Sequence, residues 1–166
     1  MGGHMKKEKY YAAYGSNLSV EQMAHRCPQA KIAGTGVLEN YELQFKGTPG
    51  NAHATVEVCA GKTVPVLIWA LTDQDEMSLD RYEGYPSYYG KQTCKIEADG
   101  QSYEVMFYEM QPDYHLNIPS PGYFNVIRDG YRHFGFPEEI LEEALMKSVM
   151  PLYDKLEVQE EMEMRL

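Results

Sequence analysis

Long apolar runs are missing from this chain: no stretch approaches the ~20 residues a bilayer-spanning helix needs, and no apolar signal-peptide core follows the basic residues 5–9. Cysteine is scarce. The three, Cys27, Cys59 and Cys94, are odd in number, widely spaced and form no CxxC pair. That pattern indicates neither a zinc site nor a disulfide framework, and it fits a reducing, cytoplasmic setting. Positive charge is also short, with 15 Lys and Arg against 25 Asp and Glu for a net charge of -10. A nucleic-acid surface needs a basic stripe, so that class of partner is not expected, and neither is a membrane. The five histidines are scattered, and no phosphate-loop or zinc spacing occurs, so no metal or other cofactor is expected. There is no repeat and no low-complexity segment.

What is present is a chain of 166 residues, 43% hydrophobic, long enough to bury one core without staples. Residues 1–4, Met1-Gly2-Gly3-His4, read as an expression remnant, residues 5–154 as a single domain and residues 155–166 as an acidic C-terminal tail, either frayed or a surface helix. A monomer or a homodimer is expected.

The stretch from Tyr10 to Leu18 organises the rest. Tyr10, Tyr11, Ala12, Ala13 and Tyr14 have strand character and no charge, and Gly15-Ser16-Asn17 stops the strand abruptly. Ser19 or Asn17 then caps a helix, with Glu21 or Gln22 behind it, ending before Pro28. Strand, tight loop and helix N-terminus together present backbone N–H groups and a positive dipole end, suited to a carboxylate or a developing oxyanion.

Further along, residues 30–37 and 41–46 are predicted strands separated by a bend at Leu38-Glu39-Asn40, and residues 46–51 a loop. Residues 54–59 make a strand, Ala60-Gly61-Lys62 a turn, and residues 64–71 the most hydrophobic and central strand. Thr72 caps a helix that Gly84 ends. Residues 88–98 and 102–110 form a hairpin about Asp99-Gly100. A loop with three prolines covers residues 111–121, and two helices follow, one ending at Gly135 and one opening at Pro137. The expected class is α+β: a small mixed β-barrel with flanking helices.

Two further spots carry chemistry. Glu83 ends a helix beside Gly84 and Pro86, where the dipole favours cations, and Tyr82, Tyr85, Tyr88 and Tyr89 surround it in sequence. Both influences raise a carboxyl's pKa, which suits a general acid–base. Asp80, one turn earlier, is the competing acid. In Pro119-Ser120-Pro121-Gly122-Tyr123, Tyr123 falls in the first turn of a helix, either reaching a ligand or serving as core.

Taken together, Tyr14-Gly15-Ser16-Asn17-Leu18, Leu79-Asp80-x-x-Glu83-Gly84 and Ser120-Pro121-x-Tyr123 resemble the gamma-glutamylcyclotransferase family, over residues 10–145. The resemblance implies a small β-barrel enzyme that cyclises a γ-glutamyl group to 5-oxoproline and releases an amino acid or amine. It implies Glu83 as the acid/base and no cofactor. It places substrate contacts at Tyr11, Ala12, Ala13, Tyr14, Gly15, Ser16, Asn17 and Tyr123, and at Tyr89, with Tyr88 the alternative. Val66 stands where the family often has Gly, which would narrow the pocket, and Gly90 stands where an Arg often follows. Glu83-Gly84-Tyr85-Pro86 resembles the branch acting on γ-glutamylamines, whereas Ser-Pro-x-Tyr resembles the branch acting on γ-glutamyl amino acids. Removal of a γ-glutamyl protecting group would use the same residues, whereas a binding module without catalysis has no need of an acid/base, so Glu83, the loop and Tyr123 together speak against it. A serine hydrolase built on Ser16 lacks a placed His and the nucleophile-elbow pattern.

Overall fold

A computed structural model of the chain describes residues 8–165. The expected expression remnant at residues 1–4 lies outside them. Five strands form one sheet in the order β2-β3-β1-β5-β4: β1 Lys9–Ala13, β2 Lys31–Thr48, β3 Asn51–Leu71, β4 Tyr89–Ala98 and β5 Gln101–Met110. The sheet is mixed. β1, at its centre, runs antiparallel to β3 and parallel to β5. The helices are α1 Val20–Arg26, α2 Asp73–Tyr82, α3 Pro121–Phe134 and α4 Glu138–Met164. No helix among the described residues is long and apolar enough to cross a membrane.

Local chemistry explains the ends of these elements. Ser19 caps α1 by accepting from the Gln22 N–H at 3.2 Å. Thr72 and Asp75 close a reciprocal capping box on α2. Asp99 (φ 52°) and Gly100 (φ 77°) make the β4–β5 turn with both central residues left-handed, which matches the twist of a hairpin. Gly135 (φ 70°) stops α3.

Two expected breaks are bends inside long strands. Leu38-Glu39-Asn40 and Ala60-Gly61-Lys62 do not end strands; β2 and β3 run through them as one hairpin, turning at residues 49–50. The register slips between Glu39 and Tyr41, Asn40 takes φ 63° and Gly61 φ 82°, and the Gly61 N–H donates to Asn40 Oδ1 at 3.1 Å. The two turn signals therefore face each other across the ladder and bend both strands together.

Residues 64–71, expected at the centre, lie one place from it, between β2 and β1. Val64, Val66, Leu67 and Ile68 are all fully buried, as in a strand covered on both faces. Val66 belongs to this core and does not line the cavity described below. The edge strands β2 and β4 approach without hydrogen-bonding: a Cβ added to Gly36 would lie 2.5 Å from Ile96 Cγ2. Side chains meet where a closed barrel would have ladder bonds, so "barrel" describes the sheet only loosely. On α4, Leu141, Ala144 and Ser148 are buried, but from Leu152 onward the helix is exposed. Residues 155–164 are thus a surface helix, not a frayed end.

Candidate active site

The strand β1 delivers Tyr14 and Gly15 to the edge of a cavity of about 180 Å³. A single 3-10 turn, Ser16–Leu18, follows, closed by Leu18 N–H to Gly15 C=O and Ser19 N–H to Ser16 C=O, both at 3.0 Å. Those bonds use carbonyls of the loop. The N–H groups of Gly15, Ser16 and Asn17 donate to no other described residue, although all three residues line the cavity. Such a run of unpaired donors is an anion-binding arrangement.

Glu83 reaches the same cavity from α2. It is the C-cap, its N–H bonded to Leu79 C=O at 2.8 Å. Gly84 takes φ 63° and donates to Arg81 C=O, and the Tyr85 N–H donates to Asp80 C=O at 2.9 Å. This is a complete Schellman ending, and it needs Gly84: a Cβ there would be strained and 3.1 Å from Tyr88 Cβ. The Glu83 carboxyl has no hydrogen-bond partner among the described residues. Burial pushes its pKa up to about 7, with the Arg26 guanidinium pulling weakly the other way.

Tyrosines make most of the remaining wall. Tyr123 accepts the Ala54 N–H at 3.0 Å, and Tyr89 donates to the Ala54 carbonyl at 2.7 Å. One residue of β3, through its N–H and its C=O, thus fixes two hydroxyls, from α3 and from β4. Tyr14 donates to the Tyr108 carbonyl at 2.6 Å, and Tyr11 accepts from Asn17 Nδ2 at 3.0 Å. Burial raises the pKa of Tyr11, Tyr14, Tyr89, Tyr108 and Tyr123, and that of Tyr88 to about 12, so all stay protonated near neutrality.

Of the residues singled out from sequence, Glu83, Tyr11, Tyr14, Gly15, Ser16, Asn17, Tyr89 and Tyr123 come together on this cavity. Ala12 and Ala13 do not; both are fully buried in β1 and absent from its wall. Tyr88 lines the cavity beside Tyr89, so the two are not alternatives. Sequence reasoning missed His53 and Tyr108. His53 Nδ1 lies 2.8 Å from the Tyr88 hydroxyl, and its ring meets Tyr123 edge-on at 5.2 Å. Neither sits in a local motif; only strand pairing brings them in.

A carboxyl without a hydrogen-bond partner, its pKa lifted by burial to about 7, and a run of backbone N–H groups without partners among the described residues border one small cavity, an arrangement suited to moving a proton on a small molecule. A profile of the family described as "Gamma-glutamyl cyclotransferase, AIG2-like" matches residues 11–125. Gamma-glutamylcyclotransferase of Mus musculus is 30% identical, the match covering 92% of this chain and 85% of that protein. The Homo sapiens protein of the same name is also 30% identical with the same coverage. A solved structure titled "Gamma-glutamyl cyclotransferase" superposes with a TM-score of 0.74 at 27% identity, over 83% of this chain and 86% of that one. The chain belongs to the gamma-glutamyl cyclotransferase, AIG2-like family of enzymes.

Proposed function

We propose that this protein cyclises γ-glutamyl compounds to 5-oxoproline, with Glu83 as the proton carrier. The observation that supports this reading above all is that Glu83 and the free N–H groups of residues 15–17 share one cavity. In the reaction the substrate's α-amine attacks its own γ-carbonyl. The Glu83 carboxylate takes a proton from the α-ammonium, and the ring C–N bond forms. Negative charge collects on the former carbonyl oxygen, where donors such as the Gly15, Ser16 and Asn17 N–H groups are worth most. Collapse breaks the original γ-amide bond, and Glu83 returns a proton to the departing nitrogen. Two protons in all pass from the attacking to the departing nitrogen, so one carboxylate serves in turn and none is left over.

Holding a flexible side chain in the ring-forming pose is worth up to ~7–11 kcal/mol. A cavity of about 180 Å³ is smaller than the ~300–1,000 Å³ of sites for drug-sized ligands, and it suits a γ-glutamyl head. The released part then extends past Tyr82, which is 48% exposed. The test is a panel of γ-glutamyl dipeptides, glutathione and γ-glutamylamines, with 5-oxoproline measured by mass. Release by the parent and none by Glu83→Gln supports the reading. No release from any member would leave only a binding role.

A further inference from the structure

Behind the cavity wall lies a cation that does not itself line the cavity. Arg26, the last residue of α1, donates from Nη1 to Asn17 Oδ1 and from Nη2 to the Tyr82 hydroxyl at 2.7 Å. Its guanidinium carbon also lies 3.6 Å from the Tyr82 ring centroid. Asn17 is held at two further points, leaving its backbone N–H free: Nδ2 donates to the Tyr11 hydroxyl at 3.0 Å, and its backbone carbonyl accepts from Trp69 Nε1 at 3.0 Å. Tyr82 immediately precedes Glu83. One planar fork therefore ties the loop that carries the free N–H groups to the helix end that carries the carboxyl. A guanidinium can donate in two directions and stack at once; an ammonium cannot.

We infer that Arg26 is a positioning residue for the cyclisation, holding the donors of residues 15–17 in fixed register with Glu83 through Asn17 and Tyr82. The inference rests on the proposed activity. Its charge has a second consequence. Besides Tyr82 of α2, which Arg26 itself holds, the ionisable side chains around Glu83 are Tyr11 and Tyr14 from β1 and its loop, Tyr88 just before β4, Tyr89 from β4, Tyr108 from β5 and Tyr123 from α3. Burial keeps each of these hydroxyls protonated. His53, on β3, has its pKa lowered by burial, which disfavours its charged form. Arg26 is thus the charge that favours the Glu83 carboxylate.

Two substitutions separate fork from charge. Arg26→Met removes both, and Arg26→Lys keeps the charge alone. Losing register at a reacting centre costs up to ~100-fold, so Arg26→Met is expected to lower kcat by about 10–100-fold with a smaller change in KM. The acid limb of its kcat profile should also move to higher pH, because Glu83 loses a favourable cation. Arg26→Lys should keep the parent's acid limb yet recover only part of kcat. Trp69 is the single tryptophan, and its bond to Asn17 makes its emission a direct reporter of the loop, expected to shift in Arg26→Met. NMR titration of the Glu83 carboxyl gives a readout that needs no turnover, with the midpoint raised in Arg26→Met and near the parent's in Arg26→Lys. A folded Arg26→Met with the parent's kcat, Glu83 titration and Trp69 emission overturns the inference. Should that variant fail to fold, a parent-like kcat in Arg26→Lys overturns the fork. If the parent releases no 5-oxoproline, the proposed activity fails, while the titration and emission still decide whether Arg26 sets the register and charge of this site.

Discussion

Asp80 and Glu83 stand one turn apart on the same helix, and the structure treats them in opposite ways. Asp80 accepts the Tyr108 hydroxyl at 2.6 Å and pairs with Lys91 Nζ at 2.7 Å. Lys91 in turn lies 3.8 Å from Glu76 and over the Tyr85 ring at 4.5 Å. Glu83, on the other side of Tyr108, has no hydrogen-bond donor among the described residues, and the charge that favours its carboxylate is the Arg26 guanidinium. Asp80 is thus held by an ion pair and a short hydrogen bond at once. Glu83 has neither among the described residues. The proposed proton carrier is the carboxyl that is denied partners, and Tyr108 divides the two environments: its hydroxyl serves Asp80 while its ring walls the cavity.

The comparison breaks most readily at Glu83. Glu83→Gln keeps the shape and cannot carry a proton. It is expected to lower turnover by about 10²–10⁴-fold while γ-glutamyl compounds still bind. Asp80→Asn should change turnover by less than about tenfold. Activity in Glu83→Gln within a few-fold of the parent, on a substrate the parent cyclises, would reverse the assignment and make Asp80 the acid to test.

The next effect is on stability, and its sign distinguishes the two acids. Burial lifts the Glu83 pKa to about 7 in the folded chain, against an ordinary carboxyl value of 4.5. Between those values the folded state binds more protons than the unfolded state, so stability falls as pH rises. The contribution is fully present below about pH 4.5 and lost as pH rises through about 7, and it amounts to about 3–4 kcal/mol at most. Glu83→Gln cannot ionise and escapes that cost. Urea titrations at pH 8 should find it more stable than the parent, with the difference shrinking towards pH 4.5. Turnover follows the opposite course, rising through about pH 7 as the carboxylate appears. An equal or lower stability of Glu83→Gln at pH 8 would mean that the carboxyl is solvated. Asp80→Asn, by contrast, removes an ion pair that is one-quarter exposed (26%), and should cost about 1–2 kcal/mol at neutral pH.

Much of this contrast was legible along the chain, and the part that was not has a common cause. The loop at Gly15-Ser16-Asn17, the helix end at Glu83-Gly84, the cap at Thr72 and the turn at Asp99-Gly100 are local arrangements, in which residue type dictates backbone geometry. Asp80 and Glu83 remained alternatives because Lys91 and Tyr108, which separate them, arrive from β4 and β5. His53 enters the site only through the pairing of β3. Ala12 left it for a local reason: strand alternation turns it away from the face that carries Tyr11. Asn40 and Gly61 misled because a left-handed residue serves a bulge as well as a turn, and only the partner strand decides which.

The smallest expected effect tests whether the tyrosine wall does what Glu83 does. Tyr123 stands in the first turn of α3, where Ser120 accepts its N–H at 3.2 Å. Its hydroxyl accepts the Ala54 N–H, which leaves the phenolic proton to donate into the cavity. A Cβ added to Gly15 would come 3.5 Å from that oxygen, so the hydroxyl sits beside the loop donors. Burial keeps it protonated, which makes it a fixed donor and not a proton carrier. Tyr123→Phe should therefore weaken binding by about 1 kcal/mol, roughly a fivefold rise in KM, with kcat nearly unchanged. The melting temperature should fall only slightly, since the Ala54 N–H borders the cavity and water can replace the lost acceptor. If kcat instead fell as far as in Glu83→Gln, the phenol would share the proton transfer, and the division between one unpartnered acid and a wall of fixed donors would not hold.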